Sequence, residues 1–190
     1  MKGLVLNTTD SEITVILTDG DKYYAVTECS KDKRHTQNLL STVDSLLNTH
    51  NIALRDIDCY ASIVGPGSFT GIRVGVSTVN AFAYACNKPL VEINMLEVMA
   101  EGGEDGLYLI DALHGNCYGL LKDGDVKTTA FYEKAEIEAS PLKKHYKTAG
   151  CDYAGNIVAI FRKRVEEKRF VSYLMPLYLR ESQAEREAAR

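Results

Sequence analysis

Three features that define large classes of protein are missing from this sequence of 190 residues. The five cysteines are odd in number and include no Cys-x-x-Cys pair, which fits reduced thiols rather than a disulfide framework. No apolar stretch approaches the length of a membrane span, and the run at residues 4–6 is too short for a signal peptide. We therefore expect a soluble, cytoplasmic protein that has no membrane contact.

The sequence also lacks a surplus of basic charge. Its formal net charge is −4, whereas a chain that holds nucleic acid by its own electrostatics needs clustered Lys and Arg. The densest basic run, residues 162–169, is interrupted by Glu166 and Glu167 and is typical of a solvated helix face. Direct binding of RNA is therefore not expected.

What the sequence does contain is an unusual glycine-rich stretch, GPGSFTGIRVG, at residues 65–75. An apolar segment, residues 57–64, precedes it, and apolar residues at helical spacing follow it, which predicts strand, turn and helix. Ser68 is a suitable N-cap, and the bare N–H groups of a helix start can bind an anion. The stretch therefore has to be tested against the known phosphate-binding motifs.

Neither common nucleotide motif fits. A P-loop needs a lysine, and none lies between Gly65 and Gly75; a dinucleotide fingerprint would need glycine at Thr70. Gly71 and Gly75 instead share one helix face, where the missing side chains allow a second helix to approach closely. This spacing favours helix packing over a phosphate cradle, and leaves open whether the glycines face a partner or the protein's own first helix.

The second half of the chain repeats the first at an offset of 104 residues. Leu6-Asn7 corresponds to Ile110-Asp111, and the turn at residues 19–21 corresponds to residues 123–125. Three strands, a helix, a strand, a helix and a strand precede the glycine-rich linker at residues 101–106. We expect an N-terminal lobe at residues 1–101, a reduced C-terminal lobe at residues 106–180 and a charged tail at residues 181–190.

Such a duplicated α/β unit resembles the actin, Hsp70 and sugar-kinase class, with the second lobe reduced. That resemblance implies a phosphate side built from the residues that follow the first strand of each half, together with the glycine turn: Asn7, Thr8, Gly67, Ser68 and Asp111. These enzymes use a carboxylate where Asn7 stands, and an amide cannot serve as a base. We therefore expect a vestigial site that holds no cofactor.

Candidate metal ligands and nucleophiles are also incomplete. His35 would need a second ligand four residues later, where Leu39 stands, and His114 with Cys117 lacks a second pair. Ser68 does not occupy the serine position of a Gly-x-Ser-x-Gly elbow. We expect neither a metal site nor a catalytic residue, which leaves an interaction protein.

Two stretches resemble the TsaB (YeaZ) family: GPGSFTGIRVG and the helix start at residues 34–40, RHTQNLL. The resemblance implies a non-catalytic subunit that pairs with TsaD, which transfers a threonylcarbamoyl group to adenosine 37 of tRNA. It further implies homodimers through the same helices, the ATPase TsaE as a third subunit, and tRNA contact only through the complex. Carried over by position, the partner contact comprises His35, Gln37, Leu40, Thr70, Gly71, Arg73 and Gly75.

This chain departs from that family at Asn7, where an aspartate is usual, at Leu113, where a basic residue is usual, and in its short second half. An alternative therefore stays open: a nucleotide-binding phosphotransferase or ATPase of the actin, Hsp70 and sugar-kinase class. Asp111 and the Gly65–Ser68 turn would then contact the phosphates.

Overall fold

Two antiparallel meanders of three strands, each built on the same tight turn, begin the two halves of the chain. The computed structural model describes residues 1–29, 35–148 and 151–179. The first meander comprises β1 (Lys2–Asn7), β2 (Glu12–Asp19) and β3 (Lys22–Cys29), and the second comprises β6 (Gly106–Asp111), β7 (Cys117–Asp123) and β8 (Val126–Tyr132). Gly20 and Gly124 have the same positive φ of 56°, which suits glycine at these turns.

The first meander extends into a five-stranded sheet. After α1 (His35–Thr49) come β4 (Cys59–Gly65), α2 (Phe69–Cys86), β5 (Leu90–Asn94) and α3 (Met95–Ala100). The strand order is β3-β2-β1-β4-β5, in which β4 runs parallel to both β1 and β5. The helices are needed here because parallel strands must be joined by crossover connections.

The second sheet repeats this order with fewer parts. After α4 (Lys134–Ala139) comes β9 (Lys144–Tyr146), which runs parallel to β6 and gives the order β8-β7-β6-β9. The last helix is α5 (Ala154–Glu166). Two sheets with one strand order confirm the predicted fold class, a duplicated actin-like α/β fold in which the second lobe is reduced.

Each face of the first sheet has its own core. Leu39 and Val43 of α1 and Ile72 and Val76 of α2 pack on one face, so that both helices cover the same side. The opposite face packs against α3, α5 and the second sheet, with Phe161 fully buried at its centre. In the part of the chain that the structure describes, no helix is long and apolar enough to cross a membrane.

Most elements match the sequence-based predictions, and the differences fall in the second half. Residues 133–150, which the sequence left unassigned, contain α4 and β9. The apolar residues Ile157, Ile160, Phe161 and Val165 follow helical spacing, and they lie in α5. The predicted charged tail, residues 181–190, lies outside the described residues.

After α5 the chain returns to the first lobe as an extended segment, residues 171–179, which we call the C-terminal strap. The Val171 N–H donates to Leu90 O at 2.9 Å, and the Leu177 N–H donates to Val64 O at 2.8 Å. The division at residues 101–106 agrees with the two sheets, but α5 and the strap pack on the first sheet. The division into lobes at 1–101 and 106–180 stays a prediction.

Candidate partner-binding surface and interlobe cleft

The start of α2 rests on the loop that follows β1. Ser68 is the N-cap, as predicted: its Oγ accepts from the Gly71 N–H at 3.2 Å. The Ser68 N–H in turn donates to Thr9 O at 2.8 Å. The protein's own oxygens therefore take two of the N–H donors at the start of this helix.

Gly71 and Gly75 face inward, onto the same loop. Both are buried, and a Cβ on Gly71 would overlap the carbonyl oxygen of Thr8. A Cβ on Gly75 would overlap Thr8 Oγ1 and lie 3.1 Å from Ser62 Oγ. The outward orientation that a partner groove would require is therefore wrong for both glycines. The alternative, in which the glycines face the protein's own first helix, is also wrong, because they face Thr8 and the sheet.

The exposed face of α2 is formed by other residues. Thr70 and Arg73, both predicted for the partner contact, are exposed, as are Phe69 at 49% and Tyr84 at 91%. Small side chains lie between these larger ones, at Ser77 and Ala81. A shallow depression of about 410 Å³ is lined by Phe69, Thr70, Arg73, Val74, Ser77 and Thr78.

The first helix contributes Leu40 to the same side of the sheet. Its neighbour Leu39 is buried in the core, whereas the Leu40 side chain is 52% exposed. His35 and Gln37 belong to α1, but their side chains lie outside the described part of the structure. Their predicted place in a partner contact stays a prediction.

An aromatic and guanidinium cluster joins the strap to the start of α2. Arg73 Nε donates to the Tyr178 hydroxyl at 2.8 Å, and the Arg73 guanidinium lies 3.8 Å from the centroid of the Phe69 ring. The rings of Phe69 and Tyr178 stack with centroids 5.5 Å apart. Sequence reasoning did not assign Phe69 or Tyr178 to the contact, although Phe69 lies within GPGSFTGIRVG and Tyr178 lies in the apolar run at residues 176–179.

A cleft of about 440 Å³ separates the two lobes. Asn7 and Asp111, the two strand-end residues of the predicted phosphate side, both line it. An ion pair crosses it, with Lys147 Nζ 2.5 and 2.6 Å from the two carboxylate oxygens of Asp10. Among the described residues that line the cleft, Lys147 is the only cationic side chain.

Local contacts occupy one side-chain oxygen of each strand-end residue. Asn7 Oδ1 accepts from the Thr9 N–H at 3.1 Å and from the Thr9 hydroxyl at 2.8 Å. Asp111 Oδ1 accepts from the Leu113 N–H at 2.9 Å. The cleft therefore contains these two residues as turn-stabilising groups.

The other three members of the predicted phosphate side do not line the cleft. Thr8 is fully buried and its hydroxyl donates to Gly71 O at 2.6 Å. Gly67 packs so closely that a Cβ would lie 2.5 Å from Thr9 O, and Ser68 caps α2. The structure thus brings Asn7 and Asp111 together in the cleft and turns Thr8 toward α2, and the predicted phosphate side stays a prediction.

Burial makes two of the thiols poor nucleophiles. It raises the pKa of Cys59 from 9.0 to about 12, with a smaller contribution from the neighbouring Asp58 carboxylate. Burial also raises the pKa of Cys117, and the charge of Asp111 raises it further by a smaller amount. Because the thiolate is the reactive form, neither group is activated. Within the described ranges, no three His, Cys, Asp or Glu side chains could together hold a metal ion.

Comparison with known proteins gives a consistent assignment. The family model described as "TsaD: tRNA N6-adenosine threonylcarbamoyltransferase" matches residues 27–131, more than half of the chain. The chain belongs to this TsaD-related family. Its relatives within it include proteins named TsaB from Escherichia coli, at 33% identity over 119 residues, and Bacillus subtilis, at 30% over 119 residues. The predicted resemblance to TsaB (YeaZ) is therefore confirmed.

Each of these two TsaB matches covers 60% of this chain and 52% of the relative, so the chain spans about half the length of the curated TsaB proteins it matches. A protein named tRNA N6-adenosine threonylcarbamoyltransferase from Sphingopyxis alaskensis is 38% identical over 99 residues. Among solved structures, YeaZ from Pseudomonas aeruginosa has a TM-score of 0.77 at 21% identity, covering 94% of this chain and 99% of that one. That likeness shows a shared fold.

Proposed function

We propose that this chain is a non-catalytic subunit of the machinery that forms N6-threonylcarbamoyladenosine at position 37 of tRNA. Its role is to bind and stabilise a TsaD-type catalytic partner through the exposed face of α1, α2 and the strap. The names of its TsaB relatives, which refer to tRNA threonylcarbamoyladenosine biosynthesis, support a role in this process. The role implies a cytoplasmic location.

The observation that carries the proposal is the exposed face of α2. Aromatic residues and arginine are enriched at the energetically dominant centres of interfaces, and Phe69, Arg73 and Tyr178 form one such cluster. Ser77 and Ala81 lie beside this cluster, and their small side chains leave room for a helix to approach. Of the residues predicted for the contact, Leu40, Thr70 and Arg73 support this proposal by their exposure.

The family match supports the kind of partner. The TsaD model matches residues 27–131, a span that contains both α1 and α2, so we expect a TsaD-type protein to carry a similar pair of helices. Two similar surfaces can pair about a pseudo-twofold axis. The same geometry would allow a homodimer when the chain is alone. TsaE would join through the complex, and tRNA would be contacted indirectly.

Light scattering after size-exclusion chromatography tests the proposal, on the chain alone and mixed with TsaD of the same organism. Thr70→Arg adds bulk and charge to the exposed face, and Thr128→Arg makes the same change on exposed β8 as the control. We expect a mixed complex for the unaltered chain and for Thr128→Arg, and its loss for Thr70→Arg. A chain that stays monomeric and does not bind TsaD would contradict the proposal.

The interlobe cleft favours a second candidate, a nucleotide-binding enzyme of the actin, Hsp70 and sugar-kinase class. Its volume suits a small ligand, but its charge does not suit a polyphosphate, since Lys147 is already paired with Asp10. Glu12 and Asp152 add further negative charge. Calorimetry with ATP and magnesium distinguishes the two: the subunit role predicts a Kd above about 1 mM, an affinity weaker than about −4 kcal/mol.

A further inference from the structure

A continuous set of contacts links the second lobe to the start of α2. At one end, Lys147 directly follows β9, and its N–H donates to Leu109 O at 2.9 Å, which attaches it to the second sheet. Its Nζ reaches across the cleft to Asp10 of the first lobe. The Lys147 side chain is only 13% exposed and that of Asp10 is 38% exposed, so water screens this pair less than a surface pair.

Asp10 lies in a short loop, residues 8–11, between β1 and β2. The other end of that loop holds α2. The Thr8 hydroxyl donates to Gly71 O at 2.6 Å, and Thr9 O accepts from the Ser68 N–H at 2.8 Å. A four-residue loop therefore carries the interlobe ion pair on one side and supports the first turn of α2 on the other.

The packing under α2 leaves no room for Thr8 to move by itself. Thr8 is fully buried against Gly71 and Gly75, at positions where even a Cβ would overlap it. Close-packed interiors transmit displacements, because a shifted group must push its neighbours. A movement of the loop that displaces Thr8 must therefore shift the first turn of α2.

We propose that the Asp10–Lys147 ion pair positions the first turn of α2, so that interlobe closure and partner binding are coupled. The turn carries Phe69 and Thr70, and Arg73 follows at the start of the next turn; all three belong to the partner surface. This inference rests on the proposed function for the identity of the partner, but the coupling within the chain does not. Because coupling is reciprocal, a bound partner also favours one interlobe geometry.

Hydrogen exchange of the chain alone tests the internal coupling. The reporters are the amides of Gly71 and Ile72, which donate to Ser68 Oγ and Ser68 O. Asp10→Ala and Lys147→Ala should each raise their exchange rates about 5-fold, as expected when local opening becomes easier. The charge swap Asp10→Lys with Lys147→Asp should return the rates to within about 2-fold of the unaltered chain, because it restores the attraction.

The control variant is Lys127→Ala, which removes an ion pair of 3.7 Å between Lys127 and Glu101, away from α2. It should leave the reporter amides unchanged. Equal exchange rates in all variants would overturn the coupling, as would a swap variant that exchanges as fast as Asp10→Ala. If the single alanine variants do not fold, the swap variant decides: reporter rates more than about 2-fold above those of the unaltered chain overturn the proposal.

Titration with TsaD separates this inference from the proposed function. We expect Asp10→Ala to weaken binding about 5-fold and the swap to restore it, in parallel with the exchange rates. If the unaltered chain binds TsaD and the fast-exchanging variants bind equally well, the coupling to the partner is wrong and the function stands. If the unaltered chain does not bind TsaD, the function is wrong and hydrogen exchange alone decides the internal coupling.

Discussion

The side-chain amide of Asn80 binds both backbone polar groups of Leu174. Its Oδ1 accepts from the Leu174 N–H at 2.9 Å, and its Nδ2 donates to Leu174 O at 3.0 Å. Both residues are buried, so the amide takes the place of a neighbouring strand for the strap. This one side chain in the middle of α2 thereby fixes how the strap crosses the helix.

Replacing Asn80 should therefore destabilise the protein. Asn80→Ala leaves two buried backbone groups without partners, and we expect the free energy of unfolding to fall by about 2 kcal/mol. Asn48→Ala, on the exposed surface of α1, is the control and should change it by less than about 0.5 kcal/mol. Urea unfolding followed by circular dichroism measures both. Equal stabilities for the two variants would show that the strap contributes little.

Gly71→Ala tests the inward orientation of the glycine face. In an exposed helix, alanine stabilises relative to glycine by about 1 kcal/mol, but here its Cβ would overlap Thr8 O, so we expect a net loss of about 2–3 kcal/mol. Gly155→Ala in α5 is the matched control. Its Cβ would meet only Tyr23 Oη, at 3.8 Å, and we expect a gain of about 0.5 kcal/mol. Thermal unfolding distinguishes the signs; stabilisation by Gly71→Ala would contradict the observed packing.

The aromatic cluster predicts where binding energy is concentrated. Tyr178→Ala removes the ring that stacks on Phe69 and the hydroxyl that holds Arg73, so we expect TsaD binding to weaken about 10-fold or more. Tyr146→Ala, an exposed tyrosine on β9, should leave the affinity unchanged. Calorimetric titration gives the two values. An unaltered affinity for Tyr178→Ala would place the strap outside the contact.

Burial of Cys59 predicts a loss of stability at alkaline pH. Its pKa is raised to about 12 in the folded protein, from 9.0. The contribution of the Cys59 thiol to the free energy of unfolding is therefore intact below pH 9. It is lost as pH rises from 9 to 12, where only the unfolded chain releases the thiol proton. Between pH 8 and pH 10 this group alone should lower the free energy of unfolding by about 1.4 kcal/mol.

The variant Cys59→Ala checks that assignment. It removes the titrating thiol, so the fall in the free energy of unfolding between pH 8 and pH 10 should be smaller by the same amount. Denaturant titrations at pH 8, 9 and 10 are sufficient. A Cys59→Ala variant with the same slope as the unaltered chain would assign the effect to other buried groups.

The elements that the sequence predicts best are those with a local signal. The Asp-Gly turns at Gly20 and Gly124, the apolar strands and the periodic helices are encoded by neighbouring residues. By contrast, β9 has only three residues, and the strap is held by Asn80, 94 positions away from Leu174 in sequence. Long-range partners of this kind leave no pattern within a short window.

Orientation is the part of the site that the sequence could not provide. Helical spacing puts Gly71 and Gly75 on one face but does not say what that face meets; the answer depends on Thr8, in a different element. The repeat has a similar limit. Leu17 pairs with Leu4, whereas Leu121 pairs with Leu107, so the pairing of the first two strands shifts by one residue between the halves. The offset of 104 residues therefore does not hold for both strands of the first pair in each half.

The path of the strap has a consequence for how the chain is divided. Because residues 171–179 bind Leu90, Asn80 and Val64, the polypeptide begins and finishes its described course on the same lobe. The second sheet is, in topological terms, an insertion within the first lobe. A change in the length of the second sheet would therefore leave α1, α2 and the strap in the chain, and it would act on their surface through contacts such as the Lys147–Asp10 ion pair.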